Sequence, residues 1–124
     1  MRLQKFMMLF EKDHANIPKN NQNGTCYQDA MQYQMQHKNV LLCHGLVTGQ
    51  GPIAGIVYGH AWVEKGGTVI DETIPITIDK RVYYAIGNIH EKNVFRYTYE
   101  EMQAMVSDIG TYGPWEKKLL NNKY

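Results

Sequence analysis

Gly59-His60-Ala61-Trp62-Val63-Glu64-Lys65-Gly66-Gly67-Thr68-Val69-Ile70-Asp71-Glu72 is the stretch whose reading decides the fold. Two apolar runs flank a Lys65-Gly66-Gly67 turn, the pattern of a β-hairpin. With Lys65 and Gly66 as the loop, Glu64 pairs with Gly67, Trp62 with Val69, and His60 with Asp71. Opposed residues on one face have Cβ atoms roughly 4.5–5.5 Å apart, within reach of an imidazole–carboxylate hydrogen bond. With Gly66 and Gly67 as the loop, Trp62 faces Asp71, and parity still leaves His60 and Asp71 on one face. A three-residue loop separates them, because side chains alternate with period two. A His–Asp pair of this kind fixes the imidazole tautomer in thiol and serine enzymes. It lacks only a nucleophile.

Upstream, Thr25-Cys26-Tyr27-Gln28-Asp29-Ala30 offers one. Thr25 followed by Gln28 has the spacing of a capping box, which predicts a helix opening at Thr25. Cys26 then falls in the first turn, with Ala30, Tyr33 and His37 below it on one face. Free backbone N–H groups and the positive end of the helix dipole favour a thiolate there. The plainer alternative is a small buried hydrophobe, the commonest role of a lone cysteine.

The chain has 124 residues, 44% of them hydrophobic, which suits one globular domain spanning residues 1–124 and is too apolar for disorder. Thirteen basic residues stand against twelve acidic, so no charge footprint points to nucleic acid or an anionic membrane. Nine tyrosines suggest a cleft lining or a partly wet core. At the N-terminus, Leu3, Phe6, Met7 and Phe10 share a helical spacing and predict a docking amphipathic helix. The apolar run there is too short for an export signal or a membrane span, so a cytoplasmic protein with free Cys26 and Cys43 is expected.

The other segments follow from their chemistry. His14 to Gly24 is dense in Asn, Gly and Pro and reads as a loop. Val40 to Val47 reads as a strand on which Cys43 and His44 point to opposite faces, so Cys43 is given a structural role. Thr48 to Gly55 is a glycine-rich connection without the Gly-Lys-Ser/Thr ending of a phosphate loop. Pro75 marks Ile74 to Lys80 as an edge or crossing segment. Val82 to Ile89 and Val94 to Tyr97 read as further strands. Thr98 and Glu101 form a second capping box, opening a helix that Gly110 closes. The tail packs Trp115 and is expected to fray after it. His14, His44, His60 and His90 show no ligand spacing, so no metal and no cofactor are expected. A zinc held by Cys26, His60 and Asp71 is the minor alternative.

The order Cys26, His60, Asp71, with the string Gly59-His60-Ala61-Trp62-Val63-Glu64, resembles the papain-like thiol enzymes, in particular their transglutaminase-like and NlpC/P60-like branches. The resemblance covers roughly residues 20–72. Thr25-Cys26-Tyr27 stands where the NlpC/P60 pattern has Asp-Cys-Ser, and the tryptophan beside the transglutaminase cysteine is missing. The whole chain is also similar to short uncharacterised bacteriophage proteins.

The resemblance implies an α+β fold with a papain-like minimal core: an N-terminal Cys-bearing helix packed on an antiparallel sheet, then a C-terminal helix. It implies Cys26 as nucleophile, His60 as general base and Asp71 as its orienter. Thiol acyl transfer would then run on a peptide or amide-bearing substrate, as peptidase, amidase, deamidase or transglutaminase-like activity. The oxyanion would meet the Cys26 N–H and a side-chain amide of the preceding loop, from Asn20, Gln22 or Asn23, with Gln22 preferred. The alternative is an inactive phage accessory protein that binds a host protein or small molecule in the same cleft, in the host cytoplasm.

Overall fold

A computed structural model describes the backbone of residues 19–121 and the side chains of residues 25–121. The amphipathic pattern at Leu3 to Phe10 lies outside the described residues. The fold is α+β, with a five-stranded antiparallel sheet and several helices. Helix α1 (Lys19–Gln36) leads into β1 (Leu41–Thr48), and a 3₁₀ turn at Gly51–Ile53 connects to β2 (Val57–Lys65). Then come β3 (Thr68–Asp71), β4 (Ile76–Asp79), α2 (Lys80–Ile86), β5 (Val94–Tyr97), α3 (Tyr99–Ile109) and α4 (Lys117–Leu120). The strand order is β4-β3-β2-β1-β5. The three segments expected to pair, β1, β2 and β3, are neighbours in this sheet.

The hairpin takes the Gly66-Gly67 loop. Val63 pairs with Ile70, Glu64 with Val69 and Lys65 with Thr68. His60 is therefore not directly opposite Asp71; Asp71 lies one step past the last pair, on the same face but displaced by two residues. Gly66 supplies the reason, since its φ of +61° at the turn is one that glycine adopts without strain. The ladder stops at Val63, so among the described residues the stretch of β2 that carries His60 pairs with no strand on its β3 side.

Alternation along β2 divides the core. Trp62 and Tyr58 pack with Val69, Ile76, Ile78 and Tyr83 beneath α2. Ala61 and Leu42 pack with Cys26, Tyr27, Ala30, Met31 and Met102 beneath α1 and α3. Cys43 and His44 do fall on opposite faces. Cys43 joins the first group, while His44 is boxed by the rings of Tyr27, Tyr97 and Trp115.

Four expectations are corrected. Helix α1 begins at Lys19, so residues 19–24 are helical rather than loop, and no capping box forms at Thr25, whose Oγ1 has no hydrogen-bond partner. The buried stripe of α1 is Cys26, Tyr27, Ala30, Met31 and Gln34, whereas Tyr33 and His37 stack on each other toward solvent. Gln34 belongs inside because its amide donates to the Val40 and Tyr97 carbonyls at 3.0 and 2.9 Å. Val82–Ile86 is helical, not a strand, because Asp79 caps α2 by accepting the Arg81 N–H at 2.8 Å. The tail does not fray at Trp115, since α4 follows and buries Leu119 completely.

Three further expectations match. Pro75 precedes edge strand β4. Thr98 and Glu101 complete their capping box, and Gly110 closes α3 at φ +85°.

Candidate active site

The site forms where α1 crosses the His60 stretch of β2. His60 Nε2 is 2.8 Å from Asp71 Oδ2, and both side chains are fully buried. Cys26 is close enough to act on the same imidazole. All three residues named from the sequence are brought together, and His60 stands between the other two.

The short β2–β3 ladder explains how this happens. Parity puts His60 on the Trp62 face, away from the core that holds Cys26. Asp71 and Cys26 both act on the imidazole there. The short ladder also lets the turn after β3 fold back, so that Thr73 meets both Asp71 and α1.

Asp71 is fixed by more than His60. The Tyr83 hydroxyl donates to Oδ2 at 2.6 Å, and the Thr73 N–H donates to Oδ1 at 3.0 Å. Thr73 Oγ1 donates in turn to Asp29 on α1 at 3.2 Å. Burial pushes the Asp71 carboxyl up, but the imidazolium and these donors outweigh it and hold it below the ordinary carboxylate range. Burial works against charge on His60 as well. The charges of Asp71 and Cys26 and the Asp71 hydrogen bond overcome it, so the imidazole is held well above its ordinary value of 6.5. The Asp71 carboxylate thus favours positive charge on the buried imidazole, which stabilises a proton taken up by His60. Burial, and then the charge of Asp71, drives the Tyr83 phenol far up, so it remains a donor.

One part of the expected site is missing. Cys26 lies well inside α1, beyond the first four residues whose N–H groups have no helical partner. Its N–H belongs to the helix ladder and is not free to meet an oxyanion, nor does the helix end act on the sulfur. Asn20, Gln22 and Asn23 are in the same helix, and their side chains lie outside those described.

A groove of about 230 Å³ is lined by Asp29, Gln32, Tyr33, Gln36 and Glu72. Asp29 connects it to the interior. Its carboxyl is raised, first by burial and then by Asp71, with Thr73 and His60 opposing. Among the described residues no group of three or more His, Cys, Asp or Glu is placed to hold a metal ion. No helix of the described residues is long and apolar enough to cross a membrane. Comparison with known protein families, curated proteins and solved structures returned no match.

Tyr83, Thr73 and Asp29 were not singled out by the sequence. The Asp79 cap is the signal that leads to Tyr83: once α2 starts at Lys80, Tyr83 falls in its first turn, beside the end of β3. Thr73 and Asp29 have no comparable signal, because a single bond between residues 44 apart leaves no local pattern.

Proposed function

We propose that the chain is a thiol enzyme, an amide hydrolase or acyl transferase in which Cys26 is the nucleophile, His60 its base and Asp71 the orienter, on a papain-like arrangement. The reading rests on one observation: the His60 imidazole is bonded to a carboxylate that three donors hold in place, with Cys26 close enough to act on the ring. In the first step His60 takes the thiol proton and sulfur adds to the carbonyl carbon of a peptide or amide-bearing substrate. In the second, the imidazolium returns that proton to the leaving amine, and water or a second amine resolves the thioester.

The burial of the whole set favours a second reading. Cys26 is 3% exposed, and His60 and Asp71 not at all. A site closed to this degree also suits an inactive accessory protein that binds a host protein or small molecule nearby.

Acylation of the thiol separates the two. Wild type incubated with an activated ester should carry the acyl group on Cys26, and Cys43, fully buried, should remain unmodified. Cys26→Ser should abolish labelling, and His60→Ala should reduce it at least tenfold. Labelling unmoved by His60→Ala would end the dyad, and no labelling of wild type would favour the binding protein.

A further inference from the structure

A thiol that attacks a carbonyl needs a hydrogen-bond donor where negative charge develops on oxygen, and Cys26 cannot use its own N–H. One buried donor in this neighbourhood has nothing to donate to. The Tyr27 hydroxyl has no hydrogen-bond partner, and its side chain is 1% exposed. Orphaned buried hydroxyls are costly and uncommon in folded proteins, and each calls for a reason.

Its position supplies one. The Tyr27 ring stands edge-on against His44, with centroids 4.7 Å apart. The oxygen extends to Gly59, where an added Cβ would lie only 2.5 Å from it. Gly59 precedes His60, and Tyr27 follows Cys26, so the phenol joins the two backbones that carry the reacting pair. Only a glycine leaves room for it there. Thr25 Oγ1 is orphaned too, but a threonine inside a helix can turn to the carbonyl one turn back, whereas the phenol has no such option.

From these contacts we infer that the Tyr27 hydroxyl is the oxyanion donor of the thiol site, a catalytic residue rather than a packing one. The inference rests on the thiol-enzyme reading and completes it. As the carbon–sulfur bond forms, the carbonyl π pair moves onto oxygen and accepts the Tyr27 O–H, while His60 keeps the thiol proton. Collapse restores the carbonyl and breaks the bond to the leaving group, which takes the proton from His60. Tyr27 never gives up its own proton. Burial, then the charges of Cys26 and Tyr97, keep the phenol far above its ordinary value of 10.0.

The test compares two reactions of one sulfur in wild type and Tyr27→Phe. Acylation by p-nitrophenyl acetate passes through an oxyanion; alkylation by iodoacetamide displaces iodide and does not. Phenylalanine keeps the ring against His44, and the lost hydroxyl had no partner, so the variant should unfold at no lower temperature than wild type. Acylation should fall by about 100-fold or more, the cost of one oxyanion donor, while alkylation stays within about twofold. Equal acylation of both proteins overturns the inference and leaves the thiol enzyme standing. A parallel fall in both reactions also overturns it, because the hydroxyl would then act on the sulfur. Wild type that is alkylated but never acylated overturns the inference together with the reading it rests on.

Discussion

His44 should make this protein sensitive to mild acid. Burial alone lowers its pKa from 6.5 to about 3, and neither ring nitrogen has a hydrogen-bond partner. Tyr27, Tyr97 and Trp115 surround it with aromatic surface, their ring centroids 4.7, 5.2 and 4.8 Å away. No charged group contributes to this shift, and Glu116 instead accepts from the Tyr97 hydroxyl at 3.1 Å. Between pH 6.5 and 3 the unfolded chain binds a proton here that the folded chain does not, so stability falls as pH falls. Each unit costs about 1.4 kcal/mol, and pH 4.5 lies two units below 6.5, so the loss by then is roughly 3 kcal/mol. Against a typical total of about 5–15 kcal/mol, that is a large share.

The other shifted groups do not produce this slope. His60 is raised, so its contribution is complete below about 6.5 and is lost only as pH rises through its folded value. Asp71 is depressed, so its contribution holds above about 4 and is lost only below that. Asp29 is raised and opposes the slope. Urea unfolding followed by the fluorescence of Trp62 and Trp115, at pH 7 and 4.5, measures the effect. Wild type should lose roughly 3 kcal/mol between the two, and His44→Leu less than about 1, whatever its absolute stability. Equal losses in the two proteins would refute the reasoning.

Two further outcomes follow from buried carboxylates. Tyr83→Phe removes one of three donors to Asp71 and should cost about 1–2 kcal/mol at pH 7, with acylation of Cys26 slowed about tenfold; unchanged stability would mean the hydroxyl contributes nothing to the pair. Glu64→Ala strands the Trp62 indole N–H, the Tyr84 hydroxyl and the Arg96 guanidinium, all of which donate to that carboxylate. It should cost about 3 kcal/mol in urea unfolding, and a loss under about 1 would mean water replaces the acceptor.

What the sequence made legible was parity. Two of three hairpin registers put His60 and Asp71 on one face, and the actual register is one of those two, although the direct pairing was wrong by two residues. Face assignment tolerates such an error because a shift of two preserves it. Helix boundaries tolerate nothing comparable. Thr25 and Gln28 have capping-box spacing, yet the helix passes through them to Lys19, so the pair is capping chemistry placed in a helix interior. The same motif at Thr98 and Glu101 does cap a helix. The four-residue pattern is identical in kind, and what differs is the chain in front of it, which propensity weighs poorly. Val82 to Ile89 failed for a related reason. A short apolar run fits strand and helix alike, and the Asp79 cap that settles it stands outside the run.

The misplaced helix start changes the chemistry more than the fold. A cysteine at a helix end would draw on the helix for its reactivity and for half of its oxyanion hole. Inside the helix, the proposed nucleophile Cys26 draws on neither, and on the thiol-enzyme reading its surroundings do both tasks. In the proposed thiol site the His60–Asp71 pair stands close to the sulfur, and the hydroxyl of the very next residue reaches the backbone beside His60. A mid-helix position also ties sulfur and phenol to consecutive residues about 100° apart around one axis. One residue thereby faces the imidazole and the other faces Gly59. The site then depends on the rotation of α1 against β2, which the packing of Tyr27, Ala30 and Met31 on Ala61 and Leu42 fixes. A substitution that turns the helix, such as a larger residue at Ala30, should therefore disable thiol and phenol together while leaving the His60–Asp71 pair intact.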